Sequence, residues 1–239
     1  MFGLVYEPLI GYDENGNFSP RLATFWEFGE DGKTIVMKLR KGVKFHDGTD
    51  FNAKAVKFNL EWFISEECGH VYRTSELSNI TSVDVIDDYT VQVNLSTPDA
   101  ALLSVFTNIS GLMISPTAIK KGTDYFAVNA VGTGPFRVGE YIEGDHITLV
   151  ANKDYYEFGE DAKSLPYLDQ IVFRFMVDDL VKTTNLQSGD VDTVDYHSST
   201  NSINKAKRLS NLTTVMTSNR ETYFICFNQN DPLLHDVKV

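Results

Sequence analysis

Polar and apolar residues alternate along the segment from Thr34 to Arg40, with Ile35, Met37 and Leu39 on one face. A period of two over this length is typical of a strand that buries one face and exposes the other. The segment is therefore predicted to be a half-buried strand.

A turn and a helix are predicted to follow this strand. Asp47-Gly48 is a turn pair, and Asn52 is the expected N-cap because its side chain accepts hydrogen bonds from free backbone N–H groups. The helix has a narrow polar stripe of Lys54, Lys57 and Glu61. Apolar side chains cover most of the remaining circumference, so the helix must pack on a sheet or between elements. Asn59, on the apolar face, is expected to be a buried amide bonded to backbone groups.

The rest of the chain mixes strands with short helices. A hairpin is predicted at 82–95, and a helix at 178–187 with Gly189 as its stop. Further strands are expected at 5–10, 136–141, 147–151 and 171–176, and a short one beginning at Asp190. Because hairpins and crossovers are combined, the predicted class is α/β with mixed sheets.

Bulk composition narrows the classes of function. The chain has 239 residues, 42% of them hydrophobic, and a net charge of −12. This length suits one large domain or two ordinary ones. The acidic balance argues against a nucleic-acid partner and against an anionic membrane surface.

Recognisable catalytic and cofactor motifs are absent from the sequence. The five histidines are scattered, and none belongs to an HExxH motif. The glycines of Gly132-Thr133-Gly134 are followed by Pro135, which removes a backbone donor, so a tight turn is favoured over a phosphate cradle. Cys68-x-His70 lacks a further ligand cluster, so a polar loop is favoured over a metal site. No cofactor or metal is expected.

The segment EDGKTIVMKLRKGVKFHDGTDFNAKAVKF resembles the family 5 extracellular solute-binding proteins, the oligopeptide-, dipeptide- and nickel-binding receptors of ABC importers. Other pieces agree in the same order: VYEPLI, SPRLATFWE, VGTGPFRVGEY, NKDYY, SGDVD and FNQNDPLLHDVKV. The resemblance implies a periplasmic-binding-protein-like fold (type II, cluster C-like). It also implies an extracellular or periplasmic location, as a membrane-anchored lipoprotein at full length.

The resemblance leads us to expect a first-lobe fragment, without the export signal and the second lobe of family members. Residues 1–10 and 150–239 are expected to form a discontinuous, hinge-bearing subdomain, with 11–149 as an inserted mixed α/β subdomain. Such a fragment is expected to bind ligand weakly or not at all, because a closing receptor draws its affinity from both lobes.

The implied function is the capture of extracellular peptides for import by an ABC permease. A nickel-chelate or other small-solute receptor of the same family is the alternative. For nickel, Arg73 lies near an expected arginine position, but Leu112 and Met113 stand where another arginine would be. An enzyme or a pure interaction module is less expected. A melting-temperature shift caused by a small ligand would distinguish a receptor from an interaction module.

The resemblance also implies a set of ligand-contacting residues on the first lobe. They are Tyr6, Glu7, Asp195, Tyr196, His197, Tyr223, Phe224 and Cys226. Glu7 or Asp195 is expected to meet a cationic group or an arginine of the missing lobe, while the tyrosines offer flat apolar area. Tyr223 and Phe224 face opposite sides of a predicted strand, so one of them must belong to the core. Cys68 and Cys226 are expected to be free thiols, because they fall in different subdomains.

Overall fold

The computed structural model describes residues 2–68 and 76–194, together with residues 203, 204, 207, 208, 213 and 215. The chain divides into two compact units, Met1–Phe175 and Met176–Val239. The discontinuous division at residues 10 and 150 remains a prediction.

The described elements alternate between strands and mostly short helices. The strands are β1 Ile10–Tyr12, β2 Phe18–Pro20, β3 Ala23–Phe28, β4 Thr34–Leu39, β5 Ile80–Asp87, β6 Thr90–Leu95, β7 Phe136–Ile142, β8 His146–Ala151 and β9 Gln170–Arg174. The α-helices are Phe2–Val5, Ala53–Ile64, Leu102–Val105, Pro116–Ile119, Thr123–Val128 and Asp179–Ser188. Two short 3₁₀ helices cover Glu66–Cys68 and Ile109–Gly111.

A four-stranded antiparallel sheet in the order β3-β4-β6-β5 forms the larger layer of the first unit. Ile35 pairs with Val93 and Met37 with Val91, and all four side chains are buried. The period of two in β4 therefore reflects one face turned into the core, as predicted.

The helix Ala53–Ile64 packs on this sheet through β5 and β6. Asn52 caps it by accepting from the N–H of Ala55 at 3.1 Å, as predicted. Asn59 is fully buried; its Nδ2 donates to the carbonyls of Ala55 and Ile114, and its Oδ1 accepts from the N–H of Ile114. The prediction of a buried amide bonded to backbone groups is confirmed.

A second, three-stranded antiparallel sheet has the order β7-β8-β9. Its three strands lie within one to two residues of their predicted bounds. One face buries Phe136, Ile147 and Leu149 in the same core as the larger sheet. The α/β class is confirmed.

Two local predictions were wrong. The segment 5–10 is not a continuous strand: residues Phe2–Val5 form a helical turn, and only Ile10 belongs to β1. No strand begins at Asp190. Gly189 ends the preceding helix with a positive φ of 81°, and the N–H groups of Asp190 and Val191 both turn back to the carbonyl of Asn185.

Of the two cysteines, Cys68 is a free thiol, whereas Cys226 lies outside the described residues.

None of the helices that the structure describes is both long enough and apolar enough to cross a bilayer. In the same part of the chain, no group of three or more His, Cys, Asp and Glu side chains is arranged to hold a metal ion, and His70 lies outside it.

Candidate functional site

The first segment of the chain lies directly against the glycine-rich loop that precedes β7. The N–H of Gly134 donates to the carbonyl of Val5 at 2.9 Å. A Cβ at Gly132 would lie 2.1 Å from that carbonyl oxygen, and one at Gly134 would lie 2.5 Å from the oxygen of Leu4. The loop needs glycine because another backbone occupies the space of a side chain.

Glu7 extends from this segment into a buried cluster of hydroxyl groups. Glu7 is only 4% exposed. Thr133 donates to Oε2 at 2.9 Å, while Tyr155 and Tyr156 donate to Oε1 at 3.0 and 2.6 Å. The carboxylate is therefore held by three side chains that are distant from it in sequence.

Burial, more than the neighbouring charges, shifts the pKa values in this cluster. Burial raises the pKa of Glu7, the three hydroxyl donors oppose that rise, and the neighbouring charge of Glu157 adds to it. Burial and the Glu7 charge raise the pKa of Tyr155 and of Tyr156, so both phenols keep the proton that they donate. Arg21 forms an ion pair with Glu157 at 3.4 Å, which places a cation at the edge of the cluster.

A guanidinium also covers the outer side of the tyrosine pair. Arg40 lies 4.7 Å from the ring centroid of Tyr156, which is a cation–π distance. The rings of Tyr155 and Tyr156 are themselves in contact, with centroids 4.8 Å apart. Both rings are thus fixed by neighbours as well as by their hydroxyl bonds.

His46 and Asn152 support the loop from the other side. Nε2 of His46 donates to the carbonyl of Gly134 at 2.9 Å, and its Nδ1 accepts from the N–H of Gly132 at 3.4 Å. Asn152 Nδ2 donates to the same Gly134 carbonyl at 3.0 Å. This pattern requires a neutral imidazole, which agrees with the pKa of His46 being lowered, chiefly by burial.

Two of the eight predicted ligand residues, Tyr6 and Glu7, lie in the described part of the chain. Glu7 is the centre of this cluster, and Tyr6 precedes it in sequence. Tyr6 is 9% exposed, so both are largely covered in the first unit. The other six, at 195–197, 223, 224 and 226, lie outside the described residues. The arrangement around Glu7 fixes the course of the backbone at 4–7, and as described it has no exposed nucleophile or paired acid and base.

Sequence reasoning missed Thr133, Tyr155 and Tyr156 as partners of Glu7. The motifs GTGPF and NKDYY were noted separately, but their partnership spans 126 to 149 positions. No local pattern carries that information.

The pattern of the bacterial extracellular solute-binding proteins, family 5 Middle, matches residues 17–239. The chain belongs to this family. The matched range includes the glycine loop, both tyrosines of the cluster and the helix Ala53–Ile64. The family resemblance of the sequence is confirmed.

Three known proteins illustrate what the chain is similar to. The glutathione-binding protein GsiB of Shigella flexneri is 35% identical over 185 residues, which cover 77% of this chain and 35% of that protein. DppA of Helicobacter pylori, solved in complex with the peptide STSA, is 25% identical with a TM-score of 0.75, covering 87% of this chain and 44% of DppA. NikZ of Campylobacter jejuni, solved with Ni(L-His), is 26% identical with a TM-score of 0.71, covering 79% of this chain and 37% of NikZ.

The chain spans about a third of the length of the curated relatives that it matches. The fold of the matched part is that of periplasmic binding proteins, as the resemblance implied. GsiB is named as a glutathione-binding protein, and the family is described as one of extracellular solute-binding proteins.

Proposed function

We propose that this chain is part of the substrate-binding component of an ABC importer that captures extracellular peptides. The observation that carries the proposal is the family 5 match across residues 17–239. Two of the three relatives described above are named for, or solved with, glutathione or a peptide, both of which present amide groups and carboxylates.

The Glu7 cluster supports a binding role because it makes the first segment rigid. Three hydroxyl donors and the packed glycine loop fix the backbone at 4–7 before any ligand arrives. A pre-ordered wall loses little conformational entropy on binding, which is how a receptor gains affinity from few contacts.

A nickel-chelate receptor is the second candidate, favoured by the likeness to NikZ. Leu112 and Met113, in the segment expected to carry a chelate-binding arginine, are both buried apolar residues. Arg73 lies outside the described residues. The peptide receptor is therefore the better-supported function.

The proposal extends to the ligand wall, the second lobe, the permease, the hinge and the membrane anchor. Its ligand wall on this chain consists of Tyr6, Glu7, Asp195, Tyr196, His197, Tyr223, Phe224 and Cys226. A second lobe of the same protein closes over the ligand, and membrane subunits of an ABC permease receive it. Residues 1–10 and 150–239 form the hinge-bearing subdomain, and a lipid anchors the full-length protein outside the cytoplasmic membrane.

A chimera tests the proposed ligand class. This chain replaces the matched region of the Shigella GsiB relative, and calorimetry measures binding of glutathione, a mixed tripeptide library and Ni(L-His). We expect saturable binding of peptides and none of Ni(L-His). Tight Ni(L-His) binding would favour the second candidate. A chimera that melts cooperatively yet binds no peptide would contradict the proposal.

A further inference from the structure

Arg137 lies between two surface cavities of the first unit. The smaller cavity, of about 140 Å³, is lined by Lys44, His46, Asn152, Lys153 and neighbouring residues. The larger and more open one, of about 430 Å³, lies on the other side and has His46, Tyr125 and Tyr141 in its walls. Arg137 is exposed in β7 and lines both cavities.

Arg137 has no carboxylate within ion-pair distance among residues 2–68 and 76–194. The two lysines of the smaller cavity differ in this respect. Lys44 pairs with Asp50 at 3.2 Å and Lys153 with Asp169 at 3.1 Å. Both pairs are more than half exposed, and such pairs contribute little free energy, so each lysine can turn to another anion at small cost.

The floor of the smaller cavity is rigid and uncharged. His46 uses both ring nitrogens on the backbone of Gly132 and Gly134, and Asn152 is fixed on Gly134. One carboxylate, that of the exposed Asp154, also lines the cavity. The cavity therefore presents three cations and one anion around a fixed neutral base.

We propose that Arg137, together with Lys44 and Lys153, binds the oxyanion group of a small molecule, a carboxylate or a phosphate. The planar fork of an arginine matches two oxygens of either group, and the two lysines add positive charge in the same cavity. The larger cavity leaves room for the remainder of the molecule against Tyr125 and Tyr141. Neither Tyr6 nor Glu7 of the proposed peptide wall lines either cavity.

Inorganic phosphate titrated into the 239-residue chain at constant ionic strength tests the site. Two-dimensional NMR follows the ring signals of His46 and the Nε–H of Arg137. We expect these signals to shift saturably, with Arg137→Gln weakening the affinity at least about tenfold. Acetate in place of phosphate shows whether a carboxylate alone suffices or the phosphate dianion is required.

The matched control is Arg174→Gln, on β9 of the same sheet, because Arg174 is exposed and lines neither cavity. Its affinity for phosphate is expected to equal that of the unmodified chain. Equal weakening in both variants would show a response to net charge and overturn the site. Shifts that never saturate with either anion would overturn it as well. The double variant Lys44→Gln with Lys153→Gln repeats the test without touching β7.

Discussion

The hydroxyl of Tyr156 donates to Oε1 of Glu7 at 2.6 Å across 149 positions of sequence. This bond connects the segment before β1 with the segment after β8. Since Glu7 is buried, the donor replaces the water that the carboxylate loses on folding. The stability of the first unit should therefore depend on it.

Tyr156→Phe removes this hydroxyl and keeps the ring. We expect a loss of about 1.5–3 kcal/mol in the free energy of unfolding, because the acceptor is a charged group in a buried site. Urea denaturation followed by circular dichroism measures the change. Tyr141→Phe is the control, since Tyr141 is 46% exposed, and it should stay within about 0.5 kcal/mol. Equal stability of the two variants would mean that the bond contributes nothing.

The protonation of Glu7 should make stability depend on pH. Burial raises its pKa above the ordinary value of 4.5, so the folded state binds this proton more tightly than the unfolded state. The resulting stabilisation is complete below pH 4.5 and is lost as the pH rises through the folded-state pKa. Glu7→Gln abolishes that contribution, so the unmodified chain should gain stability relative to Glu7→Gln as the pH falls toward 4.5.

Denaturant unfolding at several pH values compares the two proteins. The difference in unfolding free energy between the unmodified chain and Glu7→Gln is compared at each pH, because other carboxyl groups titrate in both proteins. A stability difference between the two proteins that stays constant as the pH falls would contradict the raised pKa of Glu7.

The sequence predicted those elements whose pattern is local. The alternation at Ile35, Met37 and Leu39 and the cap at Asn52 depend only on neighbouring residues and on one buried face. Even the burial of Asn59 was readable, because a polar residue interrupts an apolar stripe. The partners of Glu7 were not readable, because hydroxyl donors 126 to 149 positions away leave no periodic trace. The prediction of a strand at 5–10 failed for the same reason. The backbone there packs against Gly132 and Gly134, which belong to a loop distant in sequence.

Asn59 joins the helix Ala53–Ile64 to the segment before the helix Pro116–Ile119. Asn59→Ala removes both side-chain bonds to Ile114, so the buried N–H and C=O of Ile114 lose these partners. We expect a loss of about 2–4 kcal/mol in the free energy of unfolding. Asn108→Ala is the control, because Asn108 is exposed and its side chain donates to the carbonyl of Ser104 in the same turn. Equal melting temperatures of Asn59→Ala and Asn108→Ala would contradict a stabilising role for the Asn59 bonds.

Gly132→Ala and Gly134→Ala should each destabilise the first unit. A methyl group at either position would enter the space of the Val5 or Leu4 carbonyl, and a backbone atom cannot rotate away. We expect a loss of about 1–3 kcal/mol for each, as for other overpacked sites. Gly3→Ala has open space around its Cβ and serves as the control. Unchanged melting of Gly132→Ala would show that the first segment is not held as described.

The last prediction separates the structural role of Glu7 from the proposed ligand wall. In the chimera, Tyr196→Ala should weaken peptide binding by more than about 1 kcal/mol, because a tyrosine contributes flat apolar area and a hydroxyl to a closed site. Calorimetry gives the affinity, and thermal melting confirms that the fold is intact. Glu7→Gln keeps the shape of the side chain. If this variant melts normally but binds peptide more weakly, Glu7 is in direct contact with the ligand. Tyr141→Ala, on the exposed face of β7, controls for the loss of a surface aromatic ring. If Tyr196→Ala and Glu7→Gln both melt normally and bind peptide with unchanged affinity, the wall of the cleft must be formed by other residues.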